Sequence, residues 1–512
     1  MKKTLIISLC LAVTSSLYGQ TADVAVLLSQ EQTEGSARTM AMGNAFTALG
    51  GDIGAVSINP AGSAVLRRSE FSVTPSLDIS REKATYLGTQ TTDGRTRFGV
   101  SNAGFIFNFD TGAYKGLLNF NFGFTYNTKN NFNAQMSAGG ETHTSGALSA
   151  TASNLTYYGI PCSQLDQGIS AYYNTGIAWP EILAWNAYLI ATADEFTDNE
   201  YISSTENIKN GYIFIPGDLQ QRAVFSTFGS TNEFAINFGA NISDKLFLGA
   251  NINLMSTNYA VDNTYRESSF DYTLFDDKFV SMDQASWVRT GGAGIGIKLG
   301  AIATPVAGLR IGATFTTPTW YRMTDTWGYQ MTSEFGNGKR WPKETPRGEM
   351  DYNLTTPLRF SLGAAYVFGK TLILSADYER VDYSTAKMKA RSIASQADID
   401  IQNDIIKRNS LASNIIRVGI EAKPTERLSI RAGYNSLGAA MYGEQNIRLI
   451  SGGVGFRLTA NSSLDIAYQH KLNTDNEFVL YTYLDPSSEL AAPAGVRSSG
   501  KSKVMFTWSI KL

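Results

Sequence analysis

Histidine and cysteine are nearly missing from this chain of 512 residues, which has two of each. Cys10 falls in the apolar stretch at the N-terminus, leaving Cys162 alone in the remainder, so no internal disulfide framework can form. His143 and His470 are too few for a metal centre built on several imidazoles, and no metal or cofactor is expected. Charge is scarce as well. Asp, Glu, Lys and Arg make up 17%, against about 25% in ordinary soluble domains, so the usual charged coat cannot cover the surface. The formal net charge is −2 without a basic cluster, which argues against nucleic acid as a partner. Beyond the N-terminus, no apolar run approaches the roughly 20 residues that a membrane helix needs.

The opening residues, MKKTLIISLCLAVTSSLYGQ, have the form of a secretory signal over 1–19. Lys2 and Lys3 precede the apolar run Thr4 to Val13, and small residues lead to a cleavage site before Gln20. The mature chain is therefore expected to be exported without a membrane helix.

From Glu70 onward the pattern is β. In LLNFNFGFTYN, Leu118, Phe120, Phe122, Phe124 and Tyr126 alternate with Asn119, Asn121, Gly123 and Thr125. The last segment sets Val504, Phe506, Trp508, Ile510 and Leu512 against Met505, Thr507, Ser509 and Lys511. Such period-two alternation marks strands with two unlike faces. Fourteen segments of this kind run from 70–79 to 502–512. Six short connections alternate with seven generally longer ones: 80–97, 129–232, 259–286, 319–356, 383–412, 437–446 and 474–501. Ten residues at about 3.3 Å, tilted near 45°, reach roughly 23 Å, close to the apolar band of an outer membrane. The polar faces carry Arg310, Arg359, Asp377, Glu379, Arg417, Glu421, Arg431 and Asp465. A wet lumen accepts these charges, whereas a dry core would require complete pairing. The expected fold is all-β: a 14-stranded antiparallel transmembrane β-barrel over 70–512, in the outer membrane of a Gram-negative bacterium, with 129–232 as a long extracellular loop.

A barrel this wide leaves a channel or needs a plug. Residues 20–69 are available for it. They hold SARTMAMGNAFTALGGDIGAVSINPAG, in which Arg38 to Leu49 suits a short helix, LGGD breaks it, and Asn59 is turned away from helix by Pro60. This segment is read as a small N-terminal hatch.

The order of a short Met/Gly/Ala helix, a Gly-Asp break and NPAG, directly before a barrel, resembles the FadL/TodX (OMPP1) family of outer-membrane transport proteins. Ala37, Arg38, Met40, Met42, Gly43, Ala45, Phe46, Ala48, Asp52, Ala55, Asn59, Pro60, Ala61 and Gly62 carry the resemblance. It implies passive uptake of hydrophobic molecules, such as long-chain fatty acids or aromatic hydrocarbons. Capture would occur at the outer loops, followed by a hatch rearrangement and sideways release through the wall. Arg38, Met42, Gly43, Phe46, Asn59, Pro60, Ala61 and Gly62 would then be the gating residues. Some relatives of the family serve as subunits of a protein-secretion machine, so a secretion or surface-assembly barrel is the alternative, with a protein partner at the outer loops. The chain departs from the family in its very long 129–232 loop and in ending on Leu512.

An oily ligand should not cross a polar lumen end to end, so an apolar capture site above the membrane is expected. AWPEILAWNAYLIATADEF offers Trp179, Leu183, Trp185 and Leu189 on a helix after Pro180, with Ile182 and Ile190 beside them. The partners are then a hydrophobic small molecule and outer-membrane lipids. Trp320, Tyr321, Trp327 and Tyr329 are read as aromatics of the membrane interface, and 385–408 as a solvated loop helix. An enzyme is not expected. His143 has no serine at a supporting spacing, and Gly292, Gly294 and Gly296 recur at period two on a lumen-facing strand near the plug rather than at P-loop spacing.

Overall fold

The computed structural model describes residues 21–194, 196–392, 396–485 and 491–512; the secretory signal expected over 1–19 lies outside them. Fourteen antiparallel strands form the wall: β1 Glu70–Tyr86, β2 Thr89–Asp110, β3 Leu117–Asn131, β4 Leu219–Ile242, β5 Leu246–Ser269, β6 Phe279–Val306 and β7 Leu309–Thr316. They continue with β8 Arg359–Phe368, β9 Leu372–Asp382, β10 Ala412–Ala422, β11 Leu428–Leu437, β12 Ile447–Arg457, β13 Ser462–Val479 and β14 Ala494–Lys511. Each pairs with the next, and β14 returns to β1 from Glu70↔Lys511 to Thr85↔Val496, which closes the barrel and removes every free edge at that seam. The outward row carries exposed Phe120, Phe124, Phe234, Phe238, Leu248, Ile252, Ile295 and Leu299. In water this apolar girdle would be costly; in lipid it is the expected surface of an outer-membrane barrel.

Several strands are far longer than the ten residues the alternation predicts, with 24 in β4, 24 in β5 and 28 in β6. The excess lies on the long-loop side, where the polarity reverses. Outward positions there pair as Arg289–Asp262 and Arg266–Asp283, while Met255, Tyr265 and Met282 are buried inside. Above the girdle the wall meets water and encloses an apolar cap, so the alternation continues with opposite sign. Strand Ala134–Thr142 pairs with the outer half of β4, and Trp320–Phe335 with that of β6. The cap is filled by helices α3 (Ala147–Tyr157), α4 (Trp179–Asn186) and α5 (Gln396–Asn409). Trp320 is exposed, but Tyr321, Trp327 and Tyr329 are buried in this cap rather than set at an interface. Helix α5 is not wholly solvated either, because Ile399 and Ile406 face the core.

Residues 21–66 lie inside the wall. Helix α1 (Ala22–Ser29) packs Ala22, Ala25, Val26 and Leu28 into the cap core, and its Ala22 N–H donates to Gln402 of α5 at 2.9 Å. Helix α2 covers only Ala37–Ala41, started by the Ser36/Thr39 capping box. It stops well short of the expected Leu49 because Gly43 and Asn44 take left-handed φ values of 65° and 60°. Two short 3-10 helices follow, Ile53–Ser57 capped by Asp52 and Pro60–Val65 capped by Asn59.

Wall glycines receive this segment. A Cβ on Gly312 would stand 2.0 Å from Thr47 O, one on Gly433 2.1 Å from Gly43 N, and one on Gly249 2.2 Å from Ala61 N. Of the glycines singled out from sequence, Gly292, Gly294 and Gly296 face Met323, Tyr321 and Thr319 instead; Gly300, farther along β6, meets Asn59. Ala substitution at both Gly312 and Gly433 is expected to cost about 1–3 kcal/mol per site through overpacking. The readout is an earlier heat-induced transition of the purified barrel; an unchanged transition would mean that the segment does not press on the wall.

Within the cap, Asp325 is fully buried, with a donor in the Tyr352 hydroxyl at 3.4 Å. Burial pushes its carboxyl from 3.8 up to about 7. Such a group favours the folded state while protonated, so its contribution is whole below pH 4 and lost as pH rises to 7. The cap should therefore lose up to about 4 kcal/mol across that window. Melting followed by tryptophan fluorescence should show the loss in the native protein and much less of it in Asp325→Asn.

Candidate functional site

The inward segment is held by buried ion pairs. Arg38 Nε donates to Glu421 Oε2 of β10 at 2.8 Å, and Arg431 Nε of β11 donates to the same oxygen at 2.6 Å. Arg431 continues the chain to Asp465 of β13 at 2.6 Å. The Arg38 guanidinium also lies 5.3 Å from the Phe46 ring. Backbone groups add direction. Ala37 N–H donates to Thr507 at 2.7 Å, Thr47 N–H to Asp377 at 2.8 Å, and Asn59 Nδ2 to Thr47 O at 2.6 Å.

All eight residues assigned to gating from the sequence lie in this inward segment. Met42 and Phe46 pack with Ala48, Leu49 and Ala365; Gly43 abuts β11; Asn59, Pro60, Ala61 and Gly62 form the turn against β5 and β6. Sequence reasoning missed Glu31 and Glu34, although EQTEG is acidic in an otherwise nearly uncharged stretch. Glu31 meets Lys129 of β3 at 2.8 Å and Arg359 of β8 at 3.6 Å. Glu34 pairs with Lys503 of β14 and accepts from Ser101 of β2.

These two carboxylates mark a fault in the wall. Pairing of β2 with β3 runs from Asp110↔Asn119 to Asn102↔Asn127 and stops there. Beyond that point β2 stays with β1, while β3 bulges at Lys129 and pairs only with β4, through Asn130↔Thr231 and Asn131↔Ser230. The two strands part. Facing the parting, Gln32 N–H donates to Lys129 O at 2.7 Å and Glu34 N–H to Thr128 O at 3.0 Å, so the inward segment takes part of the place that β2 has left. A cavity with about 80 Å³ of room for water lies beside it, lined by Glu31, Glu34, Asn131, Arg359, Lys471 and Lys501 among others.

Trp179, Leu183, Trp185 and Leu189 do not line that cavity. They come together in the cap. Leu183 and Leu189 are buried; Trp179 stands 5.7 Å from Trp327, and Trp185 stands 6.1 Å from Tyr201. His143 sits beside Asp218 and His470 beside Ser502, and among the described residues no group of His, Cys, Asp and Glu could hold a metal. Glu421→Gln would leave the half-buried Arg38 guanidinium without its anion and Arg431 with Asp465 alone, at a cost of about 3 kcal/mol. Tryptic cleavage after Arg38, slow in the native protein, should accelerate in this variant; equal rates would contradict the grip.

A profile of an uncharacterised protein family, UPF0164, matches residues 29–147, a span that holds the inward segment and the parting strands. No curated protein matches the sequence. Among solved structures, the P. putida toluene transporter TodX is similar with a TM-score of 0.53 at 12% identity, over 93% of this chain and 98% of that one. A Pseudomonas aeruginosa FadL homologue gives 0.52 at 13% identity, over 94% and 99%. With its closed fourteen-stranded wall and apolar girdle, the chain is an outer-membrane β-barrel with the fold of the FadL/TodX-type transporters.

Proposed function

We propose that this protein is a passive inward channel for hydrophobic small molecules, with residues 20–69 as its hatch and sideways release into the membrane between β2 and β3. The observation that carries the reading is the coincidence of a charged, filled lumen with a parting of the wall at the same level. A hydrocarbon travelling end to end would have to displace the Arg38–Glu421–Arg431 chain and pass polar walls with nothing to pair those groups. A route that turns outward at β3 reaches lipid at once. The backbone pairing of Gln32 and Glu34 with β3 supports coupling of the two events, since a shift of the hatch removes the segment that faces the opening. The apolar cap, rich in methionine and tryptophan, suits capture of varied apolar shapes. TodX, a toluene transporter, has the same fold; an aromatic hydrocarbon or a long-chain fatty acid is the corresponding cargo here, and no energy source is invoked.

The test is uptake of toluene and of palmitate into proteoliposomes. The native barrel should accelerate at least one of them over empty liposomes. A variant lacking Lys129, the residue by which β3 bulges against β4 as it leaves β2, should assemble yet lose the acceleration. Retained uptake in that variant would overturn sideways release, and a native barrel that accelerates neither solute would overturn the channel.

A further inference from the structure

The register of the wall lines up cations that, among the described residues, no carboxylate contacts directly. One lumen-facing row reads Lys471↔Lys501↔Ser80↔Arg95 across β13, β14, β1 and β2. The adjacent row reads Gln469↔Lys503↔Asp78↔Arg97. Opposed residues of neighbouring strands stand about 5 Å apart at Cβ, and like charges there are destabilising. Lys503 is satisfied by Glu34 and Asp78. The others are not: among the described residues, Lys471, Lys501, Arg95 and Arg97 have no carboxylate within 4.0 Å. Lys501 donates only to the Asn131 carbonyl, at 3.0 Å. The nearby acids are engaged elsewhere, Glu82 by Arg497 and Ser499, and Asp93 by Ser137.

The row starts at the cavity, which Lys471 and Lys501 line, and ends at the parting of β2 from β3. There the Arg95 guanidinium lies 4.1 Å from the centre of the Phe228 ring of β4, reaching past β3 to the far lip. Arg97 is exposed. Phe98, beside it, points outward and is 71% exposed. Cations therefore line the way from the cavity to the wall opening, and an apolar surface begins where they end.

We propose that Lys471, Lys501, Arg95 and Arg97 form an anion track that binds the carboxylate or phosphate head group of an amphiphile while its tail lies against the membrane side of the opening. The assignment rests on the sideways-release reading and narrows it, because a neutral hydrocarbon gains nothing from four unpaired cations. Charge-assisted bonds to a planar oxyanion are the interactions for which guanidinium is suited.

The experiment is binding of palmitate, of a bisphosphorylated lipid A and of uncharged hexadecanol to the purified full-length barrel in neutral detergent, read by native mass spectrometry. The triple variant Lys501→Gln/Arg95→Gln/Arg97→Gln should bind at least one anionic amphiphile about ten-fold or more weakly, with hexadecanol unchanged and the native melting transition kept. Loss confined to palmitate assigns the track to cargo; loss confined to lipid A assigns it to the surrounding lipid. Affinity of the native barrel for the anion should also fall with added salt. Unchanged affinities for both anions in the variant, or an equal loss of hexadecanol, would overturn the track. Toluene uptake, measured separately, reports on the channel alone: its failure alongside charge-selective binding would remove the channel and leave the anion site.

Discussion

One shared carboxylate organises the interior. Glu421 receives Arg38 from the inward segment and Arg431 from the wall, and Arg431 passes the charge on to Asp465. A guanidinium taken out of water without such a partner would be too costly to keep. The segment can therefore sit in the lumen only in the register that brings Arg38 to Glu421. Everything placed by that register follows: the close approach of Gly43 to β11, the seat of Thr47 over Gly312 and the turn at Pro60 against β5. At the other end of the segment Glu31 and Glu34 repeat the arrangement with Lys129 and Lys503, and there they meet the parting of β2 from β3. One element thus fills the lumen and faces the place where β2 and β3 cease to pair.

The barrel has two zones of opposite polarity on one set of strands. In the girdle, apolar side chains face lipid and polar ones face the lumen. Beyond it, ion pairs such as Arg289–Asp262 face water, while methionines and aromatic rings close over the interior. Along β4, β5 and β6, whose pairing with one another runs without a register shift, side-chain direction alternates throughout, so the reversal there is a change in residue choice alone. It provides an apolar compartment above the membrane, joined through α1 and α5 to the inward segment beneath. A solute entering the cap touches the same core into which α1 is packed.

Much of this was legible in the sequence. The fourteen strands were, because each crosses lipid with strict alternation, and the alternating loop lengths fixed which side carries the cap. The inward segment was readable from its small residues and from NPAG. Four features were not. The outer halves of β4, β5 and β6 escaped because their alternation changes sign, which a search for apolar-out strands treats as a loop. Glu31 and Glu34 escaped because their meaning depends on Lys129 and Lys503, far away in sequence and brought near only by closure of the barrel. Trp327 and Tyr329 read as interface aromatics because composition cannot tell a ring at the lipid boundary from one buried against Trp179. The parting of β2 and β3 also left no trace, since Thr128 to Asn131 around the bulge are all polar and hide the shift of phase.

The central claim is that residues 21–66 are a fixed part of the interior, gripped by charge and seated on wall glycines. Hydrogen exchange of this segment in the detergent-purified protein tests it most directly. The account predicts that amides around Arg38, Thr47 and Ala61 exchange as slowly as those of the adjoining wall strands. Complete exchange of those amides within seconds, beside a protected wall, would contradict it.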